Sequence, residues 1–114
     1  MTDGAPALLR IPVRPDGSAG TPEVLSAGLS PLDGIALDER GNIYVSEILR
    51  SDISVFSPDG SERIVVATHD TAPLVNPTSL AYHAGVICAA NLGWKVKPAP
   101  RSVACISGFR RPHE

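Results

Sequence analysis

Pro15-Asp16-Gly17-Ser18 returns unchanged as Pro58-Asp59-Gly60-Ser61, 43 residues later. A second pair keeps nearly the same step. Asp33-Gly34-Ile35-Ala36-Leu37 aligns with Thr78-Ser79-Leu80-Ala81-Tyr82, and Gly41 with Gly85, 44 residues on. In each tetrapeptide proline presets the first corner of a turn and glycine closes it. A period of roughly 40–50 residues holding several short strands is the pattern of propeller blades, none of which covers its own two faces. The chain is therefore expected to be all-β, a partial β-propeller of about two and a half four-stranded antiparallel blades over residues 1–110. Blade boundaries are expected near residues 30 and 75, with a disordered tail at 111–114.

Working outward from the repeat, eleven prolines and ten glycines in 114 residues leave little room for helix. Proline removes a backbone donor and clashes with the preceding turn. Strands are read at Leu8–Val13, Glu23–Ser26, Gly34–Asp38, Asn42–Ser46, Asp52–Ser57, Glu62–Thr68, Thr78–Tyr82, Val86–Ala90 and Ser102–Ser107. Ile35-Ala36-Leu37, Val65-Val66-Ala67 and Val86-Ile87-Cys88-Ala89-Ala90 are apolar at successive positions, which predicts burial on both faces. Short turns between them favour antiparallel meanders.

A formal net charge of −2 gives no reason to expect a nucleic-acid or anionic-membrane partner. No apolar run approaches the roughly 18 residues of a membrane span. Met1-Thr2-Asp3-Gly4 shows no basic segment followed by an apolar one, so a cytoplasmic location is expected. Cys88 and Cys105 lie in apolar strand-like runs and are read as two separate buried thiols rather than a disulfide.

In a meander alternate connections share an end. The tight turns at Glu39–Gly41, Pro58–Gly60 and His83–Gly85 should lie together. Asp33 and the longer loops 47–51, 69–76 and 91–100 should gather at the other end, the more individual and thus the functional one. Asp33 is either a metal ligand or general base there, or simply the cap of its Asp-Gly turn. Thr78 and Asn91 are candidates for substrate hydrogen bonds, or ordinary polar residues at strand ends. Glu47 either adds a carboxylate or is a solvated loop residue. His69 and His83 fall at opposite ends and share no site. Trp94, with Lys95 and Lys97, is read as covering the mouth or packing over the exposed sheet edge. No nucleophile elbow, P-loop, dinucleotide fingerprint or paired-cysteine motif is present.

The strings RIPVRPDGSAGTPEV, LDGIALDERGNIYVSE and NPTSLAYHAGVICAANLGW together resemble the senescence marker protein (regucalcin)/gluconolactonase-like family of six-bladed propellers, over Leu8 to Ile106. The resemblance is to the C-terminal part of that family. It implies a lactone substrate and a divalent metal, Ca or Zn, held by an early acidic residue, an asparagine and the aspartate of a Pro-Asp-Gly motif. Asp33 matches that last ligand, with Leu32 where the family has proline, and so is the implied catalytic residue. The matching early acid and asparagine are absent, so the metal is expected only in a complete propeller. The chain is thus expected to be a fragment of a lactonase-like metal-dependent hydrolase, not competent alone. The alternative is a non-catalytic NHL-like propeller fragment serving as a binding or interaction module. Unpacked end faces predict self-association or a missing partner half.

Overall fold

The short apolar runs become nine β-strands, and no helix occurs among the described residues. The computed structural model describes residues 5–93 and 102–114. The strands are β1 (Leu8–Arg10), β2 (Glu23–Ser26), β3 (Leu32–Leu37), β4 (Ile43–Glu47), β5 (Asp52–Phe56), β6 (Arg63–Ala67), β7 (Pro77–His83), β8 (Val86–Asn91) and β9 (Ser102–Ile106). They form three antiparallel sheets in chain order, β1-β2, β3-β4-β5-β6 and β7-β8-β9. Pro12 ends β1 early, because it offers no amide to a ladder, and Val13 meets the returning chain only through a single bridge to Ala19.

The sheets stack face to face. Tyr44, Ile53, Val55, Leu74, Ile87, Ala89 and Ala104 form the larger core, between the middle and third sheets. Leu8, Ile43, Val45 and Phe56 form the smaller one, between the first and middle sheets. β4 and β5 are buried along their whole length, as strands between two neighbours must be.

β3 departs from the expectation of two-sided burial. Its pattern alternates, and Ile35 and Leu37 are 59% and 62% exposed. They pair with Val45 and Ile43, so they face the first sheet, which has only two strands and does not reach them. Val65 on β6 is exposed on that same side of the sheet.

Two other expectations are corrected. Cys88 and Cys105 are directly opposite on β8 and β9 and form a disulfide, not two separate thiols. Each strand was legible in the sequence, but the register that sets the two cysteines side by side was not. Closing a loop with a sequence separation of 17 restricts the unfolded chain, and reduction is expected to cost about 3 kcal/mol. Urea unfolding with and without a reductant measures it, and coincident curves would contradict it.

The tail 111–114, expected to be disordered, is placed. Pro112 is buried, and the Arg111 side chain is only 13% exposed because three acceptors hold it over the middle and third sheets.

Candidate functional site

The two ends of the stack are distinct, as the meander requires. At the loop end, Asn76 donates from its side chain to Ile48 O (2.9 Å) and from its backbone to Ser51 Oγ (3.0 Å), tying the 69–76 loop to the 48–51 turn. Asn76 and Ser51 both hold positive φ, 51° and 56°, conformations that such local bonds stabilise.

Asp33 lies on β3 at an irregularity of register between Leu32 and Ile35, and it is exposed. Gly34 follows it at a close crossing of two sheets. Its amide donates to Ser46 Oγ (2.7 Å), and Ser46 Oγ donates in turn to Thr78 O (2.5 Å). A Cβ on Gly34 would sit 2.1 Å from Thr78 O, so only glycine lets β3 and β7 approach this closely. Asp33 and Thr78 are therefore brought to the same crossing.

Thr78 and Asn91 are otherwise engaged. Thr78 Oγ1 donates to Ala90 O (3.2 Å). Asn91 is buried. Its Oδ1 accepts from Val75 N (3.0 Å), and its Nδ2 donates to Pro73 O (2.8 Å) and Ser102 Oγ (3.2 Å). Both amide hydrogens and the carbonyl are used, so Asn91 fastens the loop to β8 and β9.

Glu47 is not a solvated loop residue. It ends β4, 1% exposed, with Arg63 Nη2 at 2.7 and 2.8 Å from its two oxygens and Ser54 Oγ donating at 3.0 Å. Its cross-strand partner Asp52 is also buried, with Arg50 Nε 3.4 Å away. Burial first, and the Glu47 charge second, push the Asp52 carboxyl above its ordinary range.

At the turn end, Asp38 is a hub. It accepts from Arg40 N, Asn42 N, Asn42 Nδ2 and Tyr44 Oη at 2.9–3.0 Å, and from Arg111 Nη1 at 3.3 Å. Arg111 also reaches Glu39 (2.6 Å) and Tyr82 Oη (3.2 Å), and Phe109 packs edge-on against Tyr44. The tail thus buckles the middle sheet to the third. Burial raises the Asp38 pKa, but its hydrogen bonds outweigh that and the net shift is downward. The Arg111 bond holds Glu39 at about 2, against an ordinary 4.5.

A depressed folded-state pKa means stability that is present above the ordinary value and lost as pH falls through the folded one. The buckle should therefore loosen between pH 4.5 and about 2. In acid titrations followed by thermal melts, Arg111→Ala is expected to flatten the stability loss over that window. Parallel pH profiles for the two proteins would contradict the assignment.

His69 pairs with Asp70 at the loop end (3.3 Å), and His83 lies at the turn end, so the two histidines do not meet. Trp94, Lys95 and Lys97 lie outside the described residues. Among the described residues no group of three His, Cys, Asp or Glu side chains is placed to hold a metal ion. Asp33 does not assemble with Glu47 or Asp52, whose carboxylates are committed to arginines. A calcium or zinc site needs several donors, and among the described residues the acidic, histidine and cysteine side chains near Asp33 do not by themselves make up that set.

A third feature was missed from sequence. Between β1 and β3 opens a cleft of about 320 Å³, lined by Leu8, Leu9, Leu25, Ile35, Leu37 and Ile43, with Arg10 at its rim. No protein-family model matches the chain, and no curated protein matches it. No helix among the described residues is long and apolar enough to cross a membrane.

Proposed function

We propose that this chain is a partial propeller of lactonase-like ancestry that works as a binding module and does not open lactones by itself. The supporting observation is the state of the polar groups at the loop end. Both amide hydrogens and the carbonyl of Asn91 are bonded inside the chain, and among the described residues Asp33 belongs to no group of three His, Cys, Asp or Glu side chains placed to hold a metal ion. A substrate would have to displace structural bonds to be held there.

The test is hydrolysis of a sugar lactone by the isolated chain with added Ca²⁺ or Zn²⁺. Turnover at the uncatalysed rate is expected, with weak metal binding by calorimetry. Metal-dependent turnover that Asp33→Ala abolishes would overturn the proposal.

A second reading keeps Asp33 as one donor among several in a longer assembly. The exposed carboxylate at the β3 irregularity favours it. In such an assembly Asp33→Ala should abolish turnover, while Asp59→Ala, at the opposite end, should leave it unchanged.

A further inference from the structure

The first and middle sheets are built alike on their outer sides. The same Pro-Asp-Gly-Ser turn joins β1 to β2 and β5 to β6. Asp16 Oδ1 accepts from Ser18 N (3.0 Å) and Ser18 Oγ (2.6 Å). Asp59 Oδ1 accepts from Ser61 N (3.0 Å) and Ser61 Oγ (2.7 Å). β1 therefore stands in the first sheet where β5 stands in the middle one. The second edge of β5 is occupied by β4, with β3 beyond it. The second edge of β1 pairs with no strand among the described residues.

The consequence is visible on β3. By the repeat, Ile35 and Leu37 correspond to Leu80 and Tyr82 on β7. Those two are partly buried against the middle sheet, with Tyr44 of β4 stacked on Tyr82 at 5.4 Å. Ile35 and Leu37 have no such cover and form the floor of the cleft beside β1. Arg10 is already committed, to Glu23 (2.8 Å) and to Pro58 O (3.2 Å).

We infer that this cleft takes a two-stranded β-hairpin, which pairs main chain to main chain with the open edge of β1 and lays alternate apolar side chains on Ile35 and Leu37. The inference rests on the reading of the chain as a binding module and names its partner. The geometry sets the width. Two strands, β4 and β3, separate β5 from the inner edge of the middle sheet, so two strands fill the equivalent space beside β1. A second copy docking through its third sheet would bring three strands to a place for two. An open strand edge supplies affinity through main-chain bonds, and an apolar row with a period of two supplies specificity.

The chain contains its own probe, because Leu32–Glu47 is the hairpin β3-β4. A synthetic peptide of that sequence, added to the intact chain, should slow exchange of the β1 amides that point to its open edge by about tenfold at saturation, and leave those already paired with β2 less changed. Leu37→Asp should weaken binding about tenfold, because it places a charge in the apolar floor. Leu37 is 62% exposed, so the variant should melt like the parent, and a matching melt verifies that it folds. A peptide with alternate backbone amides N-methylated should not bind. Three results would overturn the inference: unchanged exchange at β1, protection at β9 instead, or equal binding of the methylated peptide. Dimers that form without peptide and vanish in Val103→Asp would assign the contact to a second copy, and would overturn it too. Lactone turnover by the peptide-free chain would mark failure of the binding-module reading, which is a separate readout.

Discussion

Arg63→Ala is expected to destabilise the fold by roughly 3 kcal/mol, the lower end of the range for removing one partner of a buried ion pair. The lower end applies because the Arg63 side chain is 33% exposed and water screens part of the interaction, whereas the Glu47 side chain is 1% exposed. Without the guanidinium, Glu47 keeps, among the described residues, the Ser54 hydroxyl at 3.0 Å. The Arg63 guanidinium also lies over the Phe56 ring, its carbon 5.8 Å from the ring centre, and that contact goes as well. Urea unfolding measures the effect. The double variant Glu47→Gln, Arg63→Met should recover most of the loss, because it removes the charge together with its partner. A single variant within about 0.5 kcal/mol of the parent would show that Glu47 is solvated in solution and its burial misassigned.

Gly34→Ala is expected to be at least as damaging, at roughly 3 kcal/mol or more, for a steric reason. The new methyl would meet Thr78 O at 2.1 Å, and Leu80 N and Ser79 Cα at 3.0 Å. All three are backbone atoms, so no side chain can turn away. β3 must retreat from β7, and the bridge from Gly34 N through Ser46 Oγ to Thr78 O breaks with it. Gly17→Ala is the informative control. Gly17 has φ of 87° but nothing within 4 Å of its Cβ position, so that substitution should cost only about 1–2 kcal/mol of left-handed strain. If the two variants melt alike, close approach of the sheets is not what Gly34 provides.

These two residues mark where a sequence reading reaches its limit. Gly34 was legible as part of an Asp-Gly turn, and its strand was read nearly to its ends. The structure instead places it inside β3, and that this part of the strand lies against Thr78 is a matter of sheet stacking, which local propensity does not encode. Glu47 ends an apolar strand and looks like a loop carboxylate. Arg63, 16 residues on, becomes its partner only once β5 is laid between β4 and β6.

The sequence by itself determined the all-β class, the absence of helix among the described residues, the strand positions and the separation of the two ends. Proline and glycine spacing, turn chemistry and a repeated tetrapeptide act over a few residues, and such signals survive without tertiary context. Tertiary structure alone decided the rest. Register set Cys88 opposite Cys105 and closed a disulfide. Pairing within the third sheet and its leading loop engaged the Asn91 amide and the Thr78 hydroxyl, and stacking of the sheets folded Arg111 onto Asp38, Glu39 and Tyr82. The width of the first sheet decided that Ile35 and Leu37, as apolar as their counterparts on β7, face an open cleft. A side chain's burial depends on how many strands its neighbour contributes, and that number is a property of the assembled stack.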